Sequence, residues 1–179
     1  MLRLALLAAA ATAIQPIQAM GPSDENAVLR SLQDVPGIKI AYYDVSGTDT
    51  KSINRMIQER HNAGRAGTDW NVAVKLDKRT EGSSCVITRA TVQFNATANL
   101  PRLTGKTEGT LPLMWQLYVG GLESELAQRL WFAYDRIGNI ERAFAGKPCD
   151  QGVRDGQAAI AQLKKDFAAL SASSLPGRN

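Results

Sequence analysis

The chain has 179 residues, a formal net charge of +4, two cysteines and a single histidine. That length suits one domain with a substantial core, and one histidine excludes any site that needs two imidazoles from the same chain. The basic residues, among them Arg55, Arg60, Lys75, Arg89, Arg102 and Arg129, are scattered and not interleaved with aromatics, which argues against nucleic-acid binding.

Met1-Leu2-Arg3, the apolar run over residues 4–14 and QPIQA (residues 15–19) follow the order of a signal peptide, with cleavage expected after Ala19. The apolar run of eleven falls short of the roughly 20 residues that span a bilayer. A buried N-terminal helix is the alternative. No second apolar run approaches membrane length, so the mature chain of 160 residues is expected to be soluble, and periplasmic or secreted. Residues 20–36 read as a polar lead-in.

From Gly37, Ile38, Ile40 and Tyr42 alternate with Lys39, Ala41 and Tyr43, the period of a strand. Thr48 is the expected cap of a helix over residues 49–61, with Ile53, Met56 and Ile57 inward. His61 stands at its end, where a C-terminal dipole partner is favourable. Trp70, Val72, Val74 and Leu76 then alternate with polar residues, and TEGSS (residues 80–84) is a turn. In the next strand Val86, Ala90, Val92, Phe94, Ala96, Ala98 and Leu100 share one parity, predicting an antiparallel hairpin that Pro101 terminates.

Leu113, Leu117, Leu122, Leu126, Leu130, Tyr134, Ile137, Ile140 and Phe144 recur at three- and four-residue spacing. This predicts one helix of about 30 residues, or two in line, weakened at Gly120-Gly121 by about 1 kcal/mol per glycine. Gly146-Lys147-Pro148 stops it. A last helix is expected over residues 150–169, with Val153, Gly156, Ile160, Leu163 and Phe167 inward. Trp70, Trp115 and Trp131 are read as core. Residues 171–179 read as a flexible tail. The fold class is therefore α+β: a small antiparallel sheet, one early helix and two long C-terminal helices in a single domain over residues 37–170. In an exported protein Cys85 and Cys149 are expected to pair; two free thiols are the alternative.

The stretches YYDVSGTDTKSINRMI, GTDWNVAVKL and CVITRATVQFNATANLPRL, with Tyr43, Val45, Gly47, Trp70, Cys85, Leu100, Pro101, Trp115 and Cys149 in that order, resemble the bacterial exported domain-of-unknown-function family 922. The resemblance covers about residues 38–170. It implies a secreted zinc-dependent protease whose helix, after a Trp, carries His-Glu-x-x-His. Two imidazoles at i and i+4 share a helix face and converge on one ion, and the Glu between them polarises the metal-bound water. Here one register puts Ser124, Glu125 and Gln128 at those positions, and a register counted from Leu122 puts Glu125, Leu126 and Arg129 there. Neither supplies a histidine.

No metal ligand and no cofactor are therefore assigned, although the resemblance implies zinc. Glu125 is a weak catalytic candidate, and with Arg129 it forms a favourable i,i+4 pair. The expectation is an exported, protease-like domain with a degenerate metal site, non-catalytic, that binds an envelope protein or peptide. The alternatives are a hydrolase with a rearranged site among Glu123, Glu125, Asp135 and Glu141, and a structural, oligomerising envelope protein.

Overall fold

The computed structural model of the chain describes residues 30–63, 67–105 and 109–173. The expected signal peptide, most of the lead-in and the end of the tail lie outside them. In chain order the described residues form β1 (Ile38–Ser46), α1 (Thr50–Asn62), β2 (Gly67–Glu81), β3 (Ser84–Thr104), α2 (Leu111–Tyr134), α3 (Ile137–Phe144) and α4 (Cys149–Ser173).

The three strands make one sheet in the order β1-β3-β2. β2 and β3 form the expected hairpin, turning through Gly82 at φ 61°, a conformation that favours glycine. β1 lies on the other side of β3 and runs parallel to it, Ile38 beside Ala96 and Ser46 beside Thr104. The α+β class stands, but the sheet is mixed and not wholly antiparallel. Alternation marks where a strand is and which face it buries; it does not encode the strand's partner or direction.

The parity along β3 also changes. Asp77 pairs with Arg89 and Lys78 with Ile87, so Thr88 is an extra residue in a β-bulge. Its hydroxyl donates to the Asp77 carbonyl at 3.1 Å. The bulge puts Ile87, and not Val86, into the core, where it is fully buried beside Ala90, Val92, Phe94, Ala96, Ala98 and Leu100. β3 continues past Pro101, which faces Tyr43 of β1. Pairing with β2 has already ended at Asn99, so the proline sits where one flank of the strand is open.

Only the second half of β3 has β1 beside it, which leaves an unpaired edge along the first half. That edge is covered. The Val92 N–H donates to the Glu141 carboxylate of α3 at 2.9 Å. Ile87 donates to the Lys147 carbonyl at 2.9 Å and accepts from the Gly146 N–H at 2.8 Å. The Cys85–Cys149 disulfide closes the same corner across 64 residues of sequence, which stabilises the fold by about 4 kcal/mol in the chain-entropy model.

α3 and α4 pack at this end of the molecule. Gly156 lies against Phe144, where a Cβ would collide with the ring, and Gly152 is equally close to the Phe144 carbonyl and Ile87. Trp70 contacts Phe94 and Phe167, and Phe94 contacts Tyr134, so sheet and helices share one apolar cluster. The core also takes in Leu32 and Val35 from the segment read as polar lead-in. Arg30 reaches both carboxylate oxygens of Asp135, at 2.8 and 2.9 Å, and stacks on Trp131, whose indole N–H donates to the Ser31 carbonyl. Two large apolar side chains and an Arg–Asp ion pair dock a segment whose average composition is polar.

The cap of α1 is Asp49 and not Thr48: its carboxylate accepts from the Ser52 N–H at 2.8 Å, and that bond holds its pKa below the usual carboxylate value. The long C-terminal helix breaks at Asp135-Arg136, not at Gly120-Gly121. There the Arg136 N–H turns to the Ala133 carbonyl, and the Phe132 carbonyl takes the Arg136 guanidinium instead, at 2.9 Å. A propensity cost of this size is a weak signal beside such a side-chain substitute.

Candidate functional site

The first three turns of α2 bury nothing completely; its buried residues are Leu126, Ala127, Leu130 and Ala133, all in the second half. Between this helix and α1 runs a groove of about 480 Å³. Tyr43 of β1, Gly67 of β2 and Asn99 of β3 bring the sheet to it. Ile57 and His61 line it from α1, and Leu117, Tyr118, Leu122, Glu125 and Arg129 from α2. The spacing explains the α2 set: 118, 122, 125 and 129 recur every three or four residues and so share one face.

Glu125 and Arg129 are joined by an ion pair along that face, with the Arg129 side chain only 14% exposed. The guanidinium Nε is buried and has no hydrogen-bond partner. Burial raises the Tyr118 pKa above its ordinary value, and the neighbouring Glu125 carboxylate raises it further. Tyr43 is raised chiefly by burial and then by Tyr118, with Arg60 acting in the opposite direction. The groove therefore carries apolar walls, two neutral phenols and one internally neutralised charge pair.

Of the residues singled out in sequence, Glu125 and His61 both line this groove. Ser124 and Gln128 are exposed and line neither cavity described here. Asp135 is held by Arg30, and Glu141 closes the edge of β3, so both lie in the scaffold and away from the groove. Cys85 and Cys149 are bonded to each other. Trp70 and Trp131 pack against the core cluster, whereas Trp115 lines a second, open cavity with Tyr42, Pro101, Arg102 and Pro112. Sequence reasoning did not find Tyr43, Ile57 and Tyr118 as groove residues; each looks like an ordinary member of its strand or helix, and only tertiary placement brings them together.

The donor set does not fit zinc. Among the described residues no three His, Cys, Asp or Glu side chains come together to hold a metal ion. The groove has one imidazole, and its only carboxylate already faces a guanidinium. A cation there would have to displace Arg129 and would still find a single imidazole and no thiolate, short of the three or four ligands that zinc takes.

Residues 40–173 match the model of a family described as bacterial proteins of unknown function, DUF922. The chain belongs to that family. No curated protein matches the sequence, and no solved structure matches the fold. Among the described residues no helix is long and apolar enough to cross a membrane.

Proposed function

We propose that this protein is an exported, non-catalytic member of its family that binds a segment of another envelope polypeptide in the groove between α1 and α2. The observation that carries this reading is the Glu125–Arg129 ion pair on the groove face of α2. The resemblance leads one to expect ligands and a base on such a helix turn. Here two opposite charges occupy i and i+4, and each is consumed by the other. A carboxylate whose oxygen is occupied by a guanidinium is a poor general base, because the pairing hinders its approach to a substrate proton.

The walls suit a polypeptide. Ile57, Leu117, Leu122 and Leu126 offer apolar contact, while the Tyr43 and Tyr118 phenols and Asn99 supply donors and acceptors at fixed points. The disulfide agrees with an oxidising compartment.

Two measurements test the reading. Elemental analysis of the purified, oxidised protein is expected to show far less than one zinc per chain, and casein is expected to survive incubation with it. Stoichiometric zinc, or casein cleavage that a chelator stops, overturns the proposal. Peptides selected on the protein from a random library are expected to lose binding on Ile57→Arg, which puts a charge into the apolar wall.

A further inference from the structure

β2 has two edges, and the chain pairs one of them. β3 takes one side; among the described residues neither a strand nor a backbone hydrogen bond from a loop covers the other. The first half of β3 is treated in the opposite way, since Glu141, Gly146 and Lys147 fill its open edge. The uncovered edge of β2 is long and regular. Residues 68–76 pair with β3 without interruption, contain no proline and span about 30 Å at about 3.4 Å per residue.

The helix-side row of β2 is also incompletely covered. Trp70, Val72, Val74 and Leu76 are half-buried, while the residues they face on β3, Ala96, Phe94, Val92 and Ala90, are buried. On the other face of the strand Asp69, Asn71, Ala73 and Lys75 are exposed. Among the described residues neither Asp69 nor Lys75 has an ion-pair partner.

We infer that this edge pairs antiparallel with the same edge of a second copy of the chain, about a two-fold axis at Val72, and so joins two three-stranded sheets into one. The charges select both the occupant and the register. Directly opposite residues of an antiparallel pair share a face. With the axis at Val72, Asp69 of each chain faces Lys75 of the other, and on the helix side Trp70 faces Val74. Opposite charges, and an aromatic against a β-branched residue, are favourable cross-strand pairs. The neighbouring registers lose this match. An axis at Asn71 leaves both charges opposite uncharged residues, and an axis at Ala73 sets Asp69 against Asp77. An axis at Val74 brings the two Lys75 side chains together diagonally and carries the pairing through Asp77 and Lys78, where the bulge interrupts the ladder. A lysine on an edge keeps foreign strands away. A strand that brings a carboxylate to that point neutralises it, and β2 itself is such a strand.

The helices leave room for the pairing. α4 packs over β3 and reaches β2 where Phe167 meets Trp70. In the joined sheet the two β3 strands stand three strand spacings apart, about 14 Å, wider than the roughly 8–10 Å between packed helices. Gly67 alone of β2 lines the groove between α1 and α2, so pairing through residues 68–76 forms a separate site.

Sedimentation equilibrium on the full, oxidised chain is expected to give twice the chain mass at micromolar concentration. Amide exchange within residues 68–76 is expected to slow at least tenfold from the dilute monomer to the dimer. Asp69→Lys, on an exposed face, is expected to raise the dimer dissociation constant at least tenfold without changing the circular dichroism, and adding Lys75→Asp to it is expected to restore the dimer. A monomer at every concentration up to the solubility limit overturns the proposal. So does a dimer that Asp69→Lys leaves intact, one that the double exchange fails to restore, or one whose β2 amides exchange as fast as the monomer's. A chain that stays monomeric and gains protection at residues 68–76 from an added Thr-Val-Glu-Val-Thr peptide overturns it in favour of a foreign strand.

Discussion

The two halves of α2 have similar apolar content and opposite fates. In the second half Leu126, Ala127, Leu130 and Ala133 are buried under the sheet and the other helices. In the first half Leu113, Met114 and Leu117 are all more than half exposed. The difference lies in what surrounds them. The second half has β3 and α4 beside it; the first half borders the groove and the second, open cavity beside Tyr42 and Pro101. Apolar residues show that a helix face is to be covered. They do not show whether the covering surface belongs to the same chain.

Several substitutions separate the halves. The largest effect is expected at the stapled end: replacing Cys85 and Cys149 together by Ala lowers unfolding free energy by about 4 kcal/mol, read by urea denaturation. Leu130→Ala, at a fully buried site, is expected to cost about 3 kcal/mol. Leu117→Ala, at a site 66% exposed, is expected to change stability by less than about 0.5 kcal/mol. Equal losses at the two leucines would break the comparison. Glu141→Ala, which leaves the Val92 N–H on the sheet edge without its acceptor, falls between them at about 1 to 3 kcal/mol.

The smallest effect concerns pH. Tyr43 and Tyr118 have folded pKa values raised above 10.0. The folded state therefore holds their protons longer than the unfolded state does. Their contribution to stability is fully present below about pH 10 and is lost as pH rises through the folded values. Ultraviolet titration is expected to show two phenols ionising above the ordinary tyrosine value, and Tyr118→Phe is expected to flatten the alkaline loss of stability.

Much of the scaffold was legible from period alone. The alternation from Trp70 to Leu76, the inner stripe of α4 and the pairing of two cysteines all follow from local rules. Three features were not. Thr88 is an ordinary strand residue by type, so the bulge that moves Ile87 inward leaves no mark in the pattern. β1 pairs parallel with β3 because α1 and β2 intervene, a matter of chain path. The helix breaks at Asp135 because Arg30 and Arg136 supply contacts there, one of them from 105 residues away. For the site, the i,i+4 spacing of Glu125 and Arg129 was readable, but Tyr43, Ile57 and His61 reach the groove only through the fold.

The cover over the first half of β3 has a chemical consequence. Gly146, Lys147 and Glu141 occupy hydrogen-bonding groups that would otherwise be open to any passing strand, and the bond from Cys149 anchors that cover. Reduction would remove that anchor and leave the edge, which carries Val86, Ile87, Val92 and Phe94, covered by those hydrogen bonds alone. The disulfide thus tethers the cover of an otherwise open strand edge as well as adding stability.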